Sequence, residues 1–307
     1  ERPLKGLHIV VDAGNGAGGF FVKEVLEPLG CDCTGSQYLD PDGTFPNHIS
    51  NPEDKTAMAA IREAVVAHKA HLGLIFDTDV DRMSAVLPGG VEVNRDAIIA
   101  LTAAILAPDQ PGATIVTDSV TSDRLTAFLE GLGLVHRRFK RGYKNVINEM
   151  IRLNGEGVDC PMAMETSGHG ALRENYDLDD GAYLAVKLVT ELARGGELAT
   201  RISALPPAVE ETERRIPVSG EDFREKGVQA LETFRARAEA QGISLAPTCE
   251  GVRLSLPQGW MLLRQSLHDP ILPLNAEGNA PGDCRKLLGL AAELLAGCPG
   301  LDLSVLQ

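Results

Sequence analysis

The sequence predicts an α/β protein with two tandem α/β units followed by a smaller α+β unit. Three observations carry that reading. Short apolar runs ending in glycine-rich or acidic turns alternate with longer stretches of helical apolar spacing, the pattern of βα units. The chain has 307 residues, more than one average domain needs and enough for two or three cores. Turn-rich breaks at Pro108-Asp109-Gln110-Pro111-Gly112 and Leu205-Pro206-Pro207 divide it into residues 1–108, 109–204 and 205–307.

Composition removes whole classes of function. A formal net charge of −14 argues against nucleic acid as a partner, and an anionic substrate must meet a local cluster of Lys and Arg. No apolar run reaches the length of about 20 residues that a membrane-spanning helix needs. The six cysteines are scattered without a C-x-x-C pair, which indicates neither a zinc site nor a disulfide framework. A reducing compartment follows as the expected home, cytoplasm or plastid stroma. The opening residues carry no targeting segment and read like an interdomain linker, so further residues upstream are expected.

In the first unit, Leu7-His8-Ile9-Val10-Val11 reads as a strand, Asp12 to Gly19 as a glycine turn, and residues 20–29 as a helix. Gly14, Gly16 and Gly19 satisfy G-x-G-x-x-G, with Asp40 at about the distance a dinucleotide site requires. A tight turn packing helix on strand fits the same glycines. A Pro-, Gly- and Asn-rich loop over residues 40–53 precedes a helix over residues 54–68.

The next apolar run delivers Phe76-Asp77-Thr78-Asp79-Val80-Asp81-Arg82, followed by the apolar Met83-Ser84-Ala85-Val86-Leu87. Asp77, Asp79 and Asp81 alternate, so from a strand end their carboxylates face one side and offer hard oxygen donors suited to Mg²⁺. A solvated strand face is the ordinary alternative, and the apolar flanks speak against it. An EF-hand is excluded, because it would need Gly at position 82 and Glu at position 88, where Arg82 and Pro88 stand. Arg82 has no lone pair to give a metal but can hold a phosphate beside one, which points to phosphoryl transfer. A helix from Asn94-Arg95-Asp96 through Leu106 closes the unit.

The second unit opens with the strand Thr114-Ile115-Val116-Thr117 and a helix over residues 124–132. His136, Arg137, Arg138, Lys140, Arg141 and Lys144 then form the main positive cluster, readable as a solvated charge run or as an anion site. Met162-Ala163-Met164 delivers Glu165-Thr166-Ser167-Gly168-His169-Gly170, whose carboxylate, hydroxyl and imidazole could serve vicinal sugar hydroxyls or cap a loop. Asp179-Asp180-Gly181 precedes a helix to Leu192. In the third unit a charged helix over residues 221–241, strands over 251–256 and 259–264, and a helix over 284–295 are expected, with a loop from Gln265 to Pro270.

Taken in order, these motifs resemble the α-D-phosphohexomutase superfamily of phosphoglucomutases, phosphomannomutases and phosphoglucosamine mutases. Asp-Thr-Asp-Val-Asp-Arg is similar to its D-G-D-G-D-R metal loop, and Glu165 to His169 to its G-E-x-S-G-H sugar loop, with Met164 where Gly is usual. Val11 to Gly18 is similar to V-D-x-G-N-G-A-G, which binds no nucleotide there, and Lys140-Arg141-Gly142-Tyr143 resembles K-x-G-H/F. Arg264, Ser266 and Pro270 match the phosphate loop R-x-S-x-T-E-P, while His268, Asp269 and Pro273 depart from it.

The resemblance implies two tandem α/β/α mutase-type domains with mixed sheets and a smaller α+β C-terminal domain, domains two to four of a four-domain architecture. It implies Mg²⁺ on Asp77, Asp79 and Asp81, and catalytic roles for Arg82, Lys140 and His169, with His169 and Lys140 the candidates for general base. It further implies hexose phosphate and hexose bisphosphate on Glu165, Ser167, Arg264 and Ser266. The implied reaction interconverts hexose 1- and 6-phosphates through a phosphoserine. No Ser-His-Asn-Pro loop or close variant occurs in the chain, so that serine is expected in an N-terminal domain outside it. A non-catalytic sugar-phosphate binder and a nucleotide-dependent dehydrogenase are the rival readings.

Overall fold

The alternation of apolar runs and amphipathic stretches is realised as three sheets flanked by helices. The computed structural model describes residues 2–266 and 269–307. Contacts divide the chain into Glu1–Leu205 and Pro206–Gln307.

In the first unit the strands β1 (Ile9–Asp12), β2 (Leu72–Phe76), β3 (Met83–Leu87) and β4 (Val91–Val93) form a sheet in that order. β1 and β2 are parallel across the helix α1 (Lys55–His68), and β2–β3–β4 is an antiparallel meander. Asp54 caps α1 by accepting from the amides of Thr56 and Ala57, satisfying donors a helix start leaves open. α2 (Asp96–Leu106) buries nine of its eleven residues, as expected of a helix packed on every side.

A second sheet repeats the plan. β5 (Thr114–Thr117), α3 (Asp123–Gly131), β6 (Val135–Arg138), α4 (Tyr143–Gly155), β7 (Met162–Met164) and β8 (Gly170–Leu172) give the order β6-β5-β7-β8, parallel except for the β7–β8 hairpin. α5 (Gly181–Ala193) and α6 (Leu198–Arg201) follow. One apolar cluster joins Leu72, Leu74 and Met83 of the first sheet to Ile115, Met162 and Met164 of the second through α2 and α5, so both sheets share a core.

The second unit is a five-stranded antiparallel sheet of β9 (Glu210–Pro217), β10 (Ser244–Ala246), β11 (Val252–Leu256), β12 (Gly259–Leu263) and β13 (Ile271–Gly278), ordered β10-β11-β12-β13-β9. Its core is sealed by α7 (Phe223–Ala240) and α8 (Asp283–Leu295).

Three differences from the sequence reading have physical causes. Residues 20–29 do not form an α-helix. A 3-10 turn, Ala17–Gly19, and a π-helical turn, Phe21–Leu26, stop short of Pro28, which has no amide to donate. β6, with one apolar residue in four and lying at a sheet edge, falls within the stretch read as a charge cluster. β9 and β13 were not anticipated, the first because it is charged and at an edge, the second because Pro273 breaks the strand pattern in sequence.

Candidate active site

Two hairpin turns of the first unit build the site. The first joins β2 to β3 and is closed by the Asp77 amide donating to the Arg82 carbonyl at 3.3 Å. Val80 adopts φ 69°, rare for a β-branched residue, and two contacts hold the turn in that shape. The Gly181 amide donates to the Val80 carbonyl at 3.0 Å, and the Ala17 amide to the Thr78 carbonyl at 2.9 Å. This turn, rather than strand alternation, gathers carboxylate oxygens of Asp77, Asp79 and Asp81 within 4.8 Å of one another. The backbone amide and Nε of Arg82 donate to the two oxygens of buried Asp77 at 3.1 and 2.8 Å, and Nη1 donates to Asn51 Oδ1 at 3.2 Å.

The residues present fit a hard divalent cation. All three side chains are oxygen donors. Among the described residues, Asp81 Oδ1 is buried without a hydrogen-bond partner. Burial, then a hydrogen bond and the charge of Asp77, then the charge of Asp79, push Asp81 up to about 6, with His169 opposing. A dication would relieve that repulsion.

The second turn joins β7 to β8. It is closed by the Glu165 amide on the His169 carbonyl at 2.9 Å, and stitched to the first turn by the Met83 amide on the Gly168 carbonyl at 3.3 Å and an antiparallel bridge between Arg82 and His169. A Cβ on Gly168 would lie 2.7 Å from the Met83 carbonyl oxygen, and φ of 99° also favours glycine there. His169 Nδ1 lies 2.8 Å from Asp179 Oδ2, whose other oxygen accepts from the Gly170 amide at 3.0 Å, and 3.7 Å from Asp81 Oδ2. A proton on Nδ1 shared with Asp179 leaves Nε2 as the free nitrogen. Burial works against protonation of His169, but Asp179, Asp81 and Glu165 outweigh it and raise its pKa. The ring stacks on Tyr143 with centroids 5.0 Å apart.

Glu165 is buried and accepts from the Gly142 amide at 2.6 Å. Burial and the charge of Asp118 push it up to about 7, against the Gly142 amide, Arg141 and His169. The Ser167 hydroxyl is buried with no hydrogen-bond partner among the described residues.

Much of the positive cluster is structural. His136 bridges Thr117 and Thr126 at 2.7 and 2.8 Å, Arg137 donates to Glu149, and Arg138 donates to Asp123 and to carbonyls at the start of α3. Lys140 is exposed and has no hydrogen bond or ion pair among the described residues, whereas Arg141 acts electrostatically on both Asp118 and Glu165. Asp179, Tyr143 and Arg141 have no role assigned from sequence although their stretches stand out there, and Asn51 lies in the turn-rich loop over residues 40–53.

The glycine turn is filled by protein. A Cβ on Gly16 would lie 2.8 Å from the Thr78 carbonyl oxygen, and one on Gly19 would collide with the Leu39 carbonyl. A pyrophosphate has no approach to these glycines, and the turn buttresses the acidic hairpin instead. Asp12 at its start accepts from the Gly14 amide and Gln37 and pairs with buried His48 at 3.1 Å.

Arg264 and Ser266 belong to the second unit, on a loop of its own. The Arg264 amide donates to the Pro273 carbonyl at 3.0 Å, and Ser266 Oγ accepts from the Asp269 amide at 3.1 Å. His268 lies outside the described residues.

Comparison with known proteins identifies the family and the fold. Residues 1–90 match the family model of phosphoglucomutase/phosphomannomutase alpha/beta/alpha domain II, and residues 94–209 that of domain III. A phosphomannomutase/phosphoglucomutase of Pseudomonas aeruginosa is 31% identical over 288 residues, 93% of this chain and 59% of the relative. A phosphoglucomutase/phosphomannomutase family protein of Burkholderia thailandensis superposes with TM-score 0.82 at 28% identity, over 96% of this chain and 62% of that one. An Aspergillus fumigatus N-acetylphosphoglucosamine mutase, solved with GlcNAc-6P and magnesium, shares the fold at TM-score 0.61 and 15% identity, over 96% of this chain and 67% of that one. The chain thus spans about three fifths of the length of the curated relatives it matches. It belongs to the α-D-phosphohexomutase superfamily.

Proposed function

We propose that these residues are the metal- and sugar-binding part of a phosphohexomutase that interconverts hexose 1- and 6-phosphates of glucose or mannose. The observation that carries the reading is the stitching of the two turns. The Arg82–His169 bridge sets the carboxylates of Asp77, Asp79 and Asp81 beside a loop that presents Glu165, Ser167 and His169.

Asp77, Asp79 and Asp81 would hold Mg²⁺, which supplies neutralisation of charge on a transferring phosphoryl group. Arg82 orients Asp77 through its amide and Nε and adds a positive edge to the site. Ser167, with an unmatched hydroxyl, and Glu165 pair with adjacent ring hydroxyls of the hexose. In the transfer, the bond from phosphorus to the donor serine oxygen breaks as the bond to a sugar hydroxyl forms. His169 Nε2 takes the hydroxyl proton, with Nδ1 held by Asp179. The hexose bisphosphate then reorients and returns its other phosphate to the serine. We assign that serine to a segment outside these residues, and Lys140, Arg264 and Ser266 to phosphate contacts.

The test is calorimetry of glucose 1,6-bisphosphate, with Mg²⁺, against the chain and its Glu165→Ala variant. Binding weakened by the substitution supports the reading. No binding, or binding of NAD in preference to the bisphosphate, refutes it.

A further inference from the structure

Beneath the 165–169 turn lies a carboxylate that the proposed reaction does not use. Asp118 follows β5 and is fully buried. Its carbonyl accepts from the hydroxyls of Thr117 and Thr121 at 3.3 and 3.0 Å, which locks its backbone. Oδ2 accepts from Thr166 Oγ1 at 2.8 Å, while Oδ1 is buried with no hydrogen-bond partner among the described residues. The Thr166 amide also acts on this carboxylate by a hydrogen bond, and Thr166 stands between Glu165 and Ser167, so these contacts, spanning 48 positions of sequence, anchor the residue from which both sugar-facing side chains diverge.

The charges facing Asp118 come from three other elements. They are Arg141 before α4, Arg95 before α2 and Glu165 on the turn itself. Arg95 is held at φ 51° and ψ −125°, a conformation that costs an arginine backbone strain and persists only where surrounding contacts impose it. Glu165 faces Asp118, Arg141, His169 and the Gly142 amide. Two carboxylates thus share one buried region with two guanidinium groups disposed around them.

We propose that Asp118 is a positioning residue for hexose recognition, holding Glu165 and Ser167 in place through Thr166 and setting by its charge whether Glu165 meets a sugar hydroxyl as acceptor or as donor. This rests on the reading that Glu165 and Ser167 take ring hydroxyls. The electrostatics agree with the geometry. Burial raises Asp118, and the charge of Asp118 adds to burial in raising Glu165 to about 7, because two carboxylates in one buried region resist ionising together.

Two variants separate the roles. Asp118→Asn keeps an acceptor for Thr166 and removes the charge, whereas Thr166→Val removes the hydroxyl bond, leaves the backbone amide in place and keeps the charge. The Glu165 titration midpoint is read by carboxyl ¹³C NMR without ligand, assigned with Glu165→Gln, and hexose 6-phosphate affinity is measured across pH 5.5–8.5. Asp118→Asn should lower the midpoint by about 0.5 to 1 unit and move the pH dependence of affinity with it. Thr166→Val should leave the midpoint near its original value and weaken binding roughly 3- to 10-fold. A midpoint unchanged in Asp118→Asn would overturn the inference even if hexose phosphate binds. A lowered midpoint in a chain that binds no hexose phosphate at any pH would instead overturn the sugar-binding reading and leave the charge coupling standing.

Discussion

Replacing Asp81 by Asn should stabilise the metal-free chain, the reverse of what most substitutions at a buried site do. Asp81 is raised from its ordinary 3.8 to about 6, chiefly by burial and by Asp77. A folded-state pKa above the unfolded one contributes stability that is complete below the unfolded value and lost as pH rises through the folded value. The window runs from about pH 4 to 6, so at pH 7 the whole contribution is gone. A shift of about two units corresponds to roughly 3 kcal/mol, which solvent screening of a side chain 30% exposed reduces to about 2 kcal/mol. Asn keeps the shape and removes the repulsion. For a unit of this size that is a rise in Tm of about 4–8 °C at pH 7. At pH 4, close to the unfolded value, Asp81 is protonated in the folded state and most of the contribution is intact, so the two chains should melt within about 2 °C of each other. Mg²⁺ should raise the Tm of the unaltered chain and leave that of Asp81→Asn nearly unmoved, because only a site that binds is stabilised by mass action. Thermal melts at pH 4 and pH 7, with and without Mg²⁺, decide this. A variant less stable than the unaltered chain at pH 7 without metal, or equal stabilisation of both by Mg²⁺, would refute the reasoning.

Three further outcomes follow from the same geometry. Arg82→Ala strands the buried Asp77 carboxylate without its guanidinium and should cost about 3 kcal/mol in a denaturant titration, whereas a loss under 1 kcal/mol would deny that the pair matters. His48 is raised mainly by its hydrogen bond to Asp12, so that pair stabilises the fold fully below about pH 6.5 and loses its effect as pH rises through the raised value. His48→Gln should flatten that decline in Tm, and an unchanged slope would assign it elsewhere. Glu165→Ala should weaken hexose phosphate binding without unfolding the chain, and analogues lacking one of the paired hydroxyls should lose roughly 1–3 kcal/mol against the unaltered protein. Equal affinity for substrate and deoxy analogues would count against the sugar assignment.

Residues 77–82 and 165–169 could be found in sequence because each turn sits between apolar runs and keeps its donors within a few positions. What joins them could not. Asn51 reaches Arg82 across 31 positions, and Thr166 reaches Asp118 across 48, distances at which no local period or spacing speaks. Asp179 is only 10 positions from His169, yet its role depends on the β8 bridge that returns it to the ring. The positive cluster misled in a different way. Composition cannot tell that His136 and Arg138 are consumed by the threonines and carbonyls around α3 while Lys140 remains in solvent. In the second unit, β13 escaped notice because Pro273 and Asn275 interrupt a strand otherwise made secure by neighbours on both sides.

The most direct measurement is mutase turnover, following conversion of glucose 1-phosphate to glucose 6-phosphate with Mg²⁺ and a trace of glucose 1,6-bisphosphate. It is run on these 307 residues alone and with a superfamily first domain, phosphorylated on its serine loop, added to them. The residues alone should bind the bisphosphate and give no turnover. With the added domain, turnover should appear and be lost in Asp79→Ala. Robust turnover from the 307 residues alone, surviving exhaustive purification, would show that the nucleophile has been misplaced. Restored turnover indifferent to Asp79→Ala would contradict the metal site at the centre of the account.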